Sequence, residues 1–91
     1  MEISKMLTIS TAHITEITAE LLDDGVKDLA IYKKADYGWF IFIPSSDVIA
    51  SLHIVLPDLI DLLAFAKDLG CEWLCLDRDG EELNYFRTYN W

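Results

Sequence analysis

Basic residues are what this chain has least of: 7 Lys and Arg stand against 16 Asp and Glu in 91 residues, a formal charge of −9. A field of that sign repels phosphate backbones and anionic bilayers, so direct nucleic-acid and membrane binding are not expected, and a protein partner with a basic surface is. Long apolar runs are missing too. The longest nearly uncharged window, 37–56, is interrupted by Pro44, Ser45, Ser46, Asp47 and His53, and no N-terminal stretch has the basic, apolar and small-residue order of a signal peptide. A cytoplasmic protein is the expectation. Cysteine is limited to Cys71 and Cys75. On the strand predicted below they point the same way with Cα atoms about 13 Å apart, too far for a disulfide, and two free thiols suit a reducing compartment. Nothing resembles a linker, an internal repeat or a basic tail, and the length suits one domain over residues 1–91.

Apolar residues are plentiful by contrast, at 53% with a mean hydropathy of +0.24. In so small a domain that excess leaves apolar surface after the core is filled, to be covered by a second copy, making a homodimer, or by another partner. The organising stretch is 71–80. Trp73, Leu74, Cys75 and Leu76 form a short apolar run, which suits a strand buried on both faces, and Asp79-Gly80 supplies a turn.

In chain order, Lys5–Ser10 reads as a first strand. A helix follows with Thr15 as N-cap, Ile14, Ile17, Leu21 and Leu22 on one face, and Gly25 as its exit. Leu29–Lys33 and Trp39–Ile43 read as a hairpin pair, the second apolar at five successive positions and so requiring cover on both faces. Residues 45–56 fit a short helix or a strand extension equally. Pro57 opens a second helix that ends at Gly70, and Leu83–Thr88 reads as a final short strand. The expected architecture is an α+β two-layer sandwich of β-α-β-β-α-β, ferredoxin-like, element order with an additional C-terminal strand.

Three constellations bear on chemistry. His13, His53, Cys71 and Cys75 are a recognised zinc-ligand set, but the cysteines lie along a strand in apolar company instead of in a tight turn, so no metal is expected. Asp77, Asp79, Glu81 and Glu82 surround the Asp79-Gly80 turn. An EF-hand register on Gly80 puts Cys75 and Phe86 where essential carboxylates belong, which leaves a solvated acidic turn. His13, in Ser10-Thr11-Ala12-His13-Ile14-Thr15 at a strand-to-helix junction, is the one candidate base, toward Ser10 or Thr11. No nucleophile elbow or oxyanion-hole motif accompanies it, and no cofactor is implied. Tyr85, Tyr89 and Trp91 lie close to the acidic turn and complete a plausible anchor set for a basic partner.

Three segments carry a resemblance: Ser10-Thr11-Ala12-His13-Ile14, Tyr37-Gly38-Trp39-Phe40, and 70–80 together with the terminal Tyr89-Asn90-Trp91. They resemble a small uncharacterised bacterial family carried on plasmids, integrative elements and prophages, with Asn90 standing where that family would be expected to have Asp. The resemblance implies a setting and no mechanism. In that setting the expected function is a non-enzymatic, acidic protein-binding module, an inhibitor of host restriction or CRISPR systems that occupies a basic nucleic-acid-binding surface. The binding set would be Asp77, Asp79, Glu81, Glu82, Tyr89, Trp91 and His13, extended by Asp23, Asp24 and Asp28. An antitoxin-like or scaffold protein binding through apolar surface is the alternative, and a small enzyme using His13 the third reading.

Overall fold

The computed structural model describes all residues, Met1–Trp91. Four strands, β1 (Met6–Ser10), β2 (Ala30–Lys34), β3 (Gly38–Phe42) and β4 (Trp73–Asp77), form one sheet in the order β1-β4-β3-β2. Three helices, α1 (Glu16–Asp24), α2 (Ser46–Ser51) and α3 (Pro57–Asp68), cover one face of it. The fold is thus α+β with the expected β-α-β-β-α-β element order, the second helical element being split in two. None of the helices is long and apolar enough to cross a membrane.

Local signals start and stop these elements. The Thr15 hydroxyl accepts from the Thr18 N–H at the head of α1, and Gly25 at φ 92° ends it. Pro57 opens α3, where its missing N–H costs nothing. Asp58 in the same turn accepts from both the Thr15 N–H (2.8 Å) and the Thr18 hydroxyl (2.7 Å), tying the two helix heads together.

The stretch that the sequence leaves undecided, 45–56, determines the topology. Ser45 caps the six-residue α2, its hydroxyl accepting from the Val48 N–H, and Ile49, Leu52 and Leu56 are buried. A single helix would carry the chain to the far end of the sheet and make β4 parallel to β3. Two helices make an out-and-back excursion: β4 starts at Trp73 directly beside Phe42, where β3 ends, and so runs antiparallel to β3 and parallel to β1.

Register divides the sheet into two unlike faces. Toward the helices stand the rows Leu7, Leu74, Ile41, Ile31 and Ile9, Leu76, Trp39, Lys33, packed on Ala19, Leu22, Ile49, Leu59, Leu62, Leu63 and Ala66. Away from them stand Met6, Trp73, Phe42, Ala30; Thr8, Cys75, Phe40, Tyr32; and Ser10, Asp77, Gly38, Lys34. No element covers this second face. Tyr32 is 57% exposed, Phe42 45% and Met6 42%. Trp73 packs edge-on to Phe42, centroids 5.1 Å apart, and lies 6.0 Å from Tyr32.

The strand expected at Leu83–Thr88 is not formed; the segment contains a turn, and the sheet has four strands. Both edges of β4 are already taken, by β1 and β3, so no hairpin can grow from its end. The Asp77–Gly80 turn does form, closed by the Gly80 N–H donating to the Asp77 carbonyl at 2.8 Å. It leads across to β1, where the Ser10 N–H donates to the Glu81 carbonyl (2.9 Å). Phe86 and Tyr85 then turn away onto Phe65 of α3, at 5.2 and 5.7 Å, and residues 81–91 become a strap instead of a strand.

Candidate binding cleft

One end of the sheet gathers the C-terminal ends of the parallel pair β1 and β4 and the tip of the β2–β3 hairpin. Two glycines allow the close approach. A Cβ on Gly38 would sit 1.7 Å from the Leu76 carbonyl oxygen, and one on Gly80 2.5 Å from the Ile9 carbonyl carbon. Crevices beyond the carboxyl ends of strands are the common ligand sites of sheets with parallel strands.

His13 pins the strap over this end. It is 2% exposed, and its Nε2 accepts from the Leu83 N–H at 2.8 Å, which requires a lone pair there and leaves the proton on Nδ1 to donate to the Arg87 carbonyl at 2.9 Å. Both nitrogens are committed within the fold. The Tyr89 N–H donates to the Ala12 carbonyl (2.8 Å) and the Trp91 indole N–H to the Ile14 carbonyl (2.9 Å), so the last aromatic side chains are brought beside the head of α1.

The result is a cleft of about 580 Å³ between α1, the hairpin tip and the strap. Glu16, Glu20 and Asp23 line it from α1, Asp36, Tyr37, Lys33 and Trp39 from the hairpin, Arg78 and Glu82 from the turn region, and Tyr89 and Trp91 from the strap. Its two cations are already engaged. Lys33 pairs with Asp23 at 3.0 Å and lies 4.5 Å from the Trp39 ring centre, while the Arg78 guanidinium stacks 4.6 Å from that of Tyr37. The Lys33 hydrogen bond, aided by that of the Trp39 indole N–H at 2.9 Å, holds the Asp23 carboxyl below the usual carboxylate range against a smaller opposing effect of burial. Glu16, Glu20, Asp36 and Glu82 have no ion-pair partner. Free carboxylates among aromatic rings suit a cationic guest: an ammonium or guanidinium gains both Coulombic and cation–π attraction.

Of the residues singled out from sequence, Asp23, Glu82, Tyr89 and Trp91 meet in this cleft. Asp79 and Glu81 are exposed but outside it. Asp77 faces the other side of the sheet, where it pairs with Lys34 and accepts from the Asp79 N–H (2.8 Å). The Lys34 hydrogen bond foremost, then that from Asp79, lowers the Asp77 carboxyl, and the same bond raises the Lys34 ammonium. His13 lies beneath the surface as a positioning residue. Asp24 and Asp28 are exposed away from the cleft. His13, His53, Cys71 and Cys75 do not converge, and no cluster of three or more metal-ligating side chains forms; both cysteines are buried free thiols.

Glu16, Glu20 and Asp36 are the acidic cleft residues that sequence reasoning left out. Glu16 and Glu20 are four apart on one helix face, a spacing visible in the sequence, but nothing local says that the hairpin tip and the chain end come to lie opposite them.

The fold and cleft together define a small α+β domain with an acidic, aromatic-walled crevice at one end of its sheet. The chain belongs to a family of unknown function, DUF5983, whose C-terminal domain matches residues 6–91. No curated protein and no solved structure matches it.

Proposed function

We propose that this domain is a non-enzymatic, acidic protein-binding module that receives a basic surface of another protein in the cleft between α1, the hairpin tip and the strap. The observation that carries the reading is the set of four carboxylates without ion-pair partners, Glu16, Glu20, Asp36 and Glu82, interleaved with Tyr37, Tyr89 and Trp91. The resemblance to proteins of plasmids, integrative elements and prophages supplies the setting. There a module of this charge serves as an anti-restriction or anti-CRISPR inhibitor that occupies a nucleic-acid channel, works in the cytoplasm and needs no cofactor. The engagement of both His13 nitrogens supports a binding role over an enzymatic one.

The test is titration of the purified domain against a restriction or CRISPR effector from the same host, with binding followed against salt. Binding is expected to be tightest at low ionic strength and to drop at least tenfold when Glu16, Glu20 and Glu82 are changed together to Gln. Unchanged binding by that variant would sink the proposal. A second reading, an antitoxin-like or scaffold protein gripping its partner by apolar surface, is favoured by the uncovered aromatic face of the sheet. Partner affinity would then be insensitive to salt and sensitive to Tyr32 and Phe42 instead.

A further inference from the structure

The cleft leaves the opposite side of the molecule unexplained. There the sheet presents Met6, Tyr32, Phe42 and Trp73 to solvent with no element over them, an arrangement that costs solubility unless something covers it. We propose that a second copy of the chain covers it, the two sheets packing face to face about a two-fold axis, as in other sheet-on-sheet layers.

Two observations select this occupant. The first is charge. Although the chain carries −9, the only charged side chains that the strands present on this face are Lys34 and Asp77, and they neutralise each other in a salt bridge. A basic partner finds no unpaired carboxylate to engage among these residues, whereas a second neutral, apolar face is complementary to it. Two copies can therefore meet here without bringing their unpaired acids into direct contact.

The second observation is area. Taking ~200 Å² for a fully exposed aromatic or Met side chain, the fractional exposures of Tyr32, Phe42 and Met6 amount to about 300 Å². With the partly open Trp73 and Phe40 and the exposed Thr8 and Ala30, each copy contributes roughly 500 Å², so a pair buries about 1,000 Å². That is the lower limit for a specific interface, and it fits a reversible, concentration-dependent dimer. The total charge of each copy opposes the approach, so salt strengthens the association, the reverse of its effect on the cleft. The inference stands apart from the proposed binding in the cleft, since neither the residues nor the salt dependence is shared.

Sedimentation equilibrium on the full chain tests it, from about 10 to about 500 µM protein in roughly 0.05 and 0.5 M salt. The expected mass rises toward twice the monomer, with a severalfold tighter midpoint at the higher salt. Combining Tyr32→Lys with Phe42→Lys is expected to weaken the dimer at least tenfold. Because Lys lowers the net negative charge, that loss would not come from repulsion between whole molecules. Thr8→Arg, at an exposed position on the same face, repeats the test should the double variant lose its fold by circular dichroism. A wild-type chain that stays monomeric throughout overturns the proposal. So does a folded variant that dimerises as wild type does, which would assign the contact to another surface.

Discussion

Both sides of this sheet carry aromatic side chains at their surfaces, and they differ in charge. On the helix side, α1 and the strap raise walls around the end of the sheet and supply carboxylates that have no ion-pair partner. On the other side nothing rises above the sheet, and its one acid is spent on its one base. Under the two proposals made above, a chain of −9 carries two surfaces that do not compete, acid on helices and turns for a cationic group and neutral strands for an apolar one. Salt is the natural discriminator, weakening the first and strengthening the second.

Substitutions that affect one surface or both test that separation. The largest effect is expected from Gly38→Ala, because Gly38 lies where the hairpin tip meets β4 and supports both sides. Its new Cβ would sit 1.7 Å from backbone, so the β3–β4 pairing must shift. A loss of about 3 kcal/mol or more in urea unfolding is expected, with both surfaces impaired. An intact cleft in that variant would show that the two sides are not joined through this contact.

His13→Ala comes next. It removes the strap's two imidazole hydrogen bonds and leaves the Leu83 N–H and the Arg87 carbonyl without partners, at a cost of about 1–3 kcal/mol. Amide exchange should quicken at Leu83 and Tyr89, and binding of a basic partner should fall, while Trp73 fluorescence on the open face stays as it was.

A smaller effect, and the sharpest separation, is expected from Glu16, Glu20 and Glu82 changed together to Gln. Stability should change little at exposed positions, binding of the basic partner should drop, and self-association should hold or tighten. Smallest of all is a pH effect on the open side. The folded Asp77 carboxyl titrates below its ordinary range, so its stabilisation is present above that range and is lost as the pH falls through the lowered folded value. Lys34, raised in the folded state, contributes fully below its ordinary range and loses its contribution as the pH rises through the raised folded value. Asp77→Asn should flatten its share of the acid limb in unfolding measured against pH, without altering cleft binding.

Legibility in the sequence followed the range of the interactions involved. Thr15, Gly25 and Pro57 mark helix ends through bonds made within a turn or two, and all three were readable. So was the buried run Leu74–Leu76, whereas Trp73, expected to be buried with it, lies partly open on the uncovered face. The fate of Leu83–Thr88 was not readable. Its β-prone residues would suit a strand, but the decision rests on β4 having both edges occupied, which is a property of the whole sheet. The same holds for the cleft. Nearness in sequence to the acidic turn points to Tyr89 and Trp91, whereas Glu16, some 70 residues away, meets them only because the strap crosses back over the head of α1. Asp77 shows the converse, an acid prominent in sequence that folding pairs with Lys34 and removes from the cleft.

The out-and-back path through α2 and α3 also bears on how the chain assembles. Because β4 returns to the end of β3, residues 30–77 contain a continuous antiparallel unit, β2-β3-β4 with its helices, in which each strand pairs with the next one in sequence. β1, α1 and the strap require partners outside their own part of the chain, Leu7 meeting Leu74, Thr18 meeting Asp58 and His13 meeting Leu83. Loop-closure entropy favours forming the local unit first and the distant pairings after it. The open aromatic face is largely complete at the earlier stage, whereas the cleft exists only once both ends of the chain have docked. An unfolding event that frees the two ends would therefore abolish the cleft while leaving most of the apolar face in place.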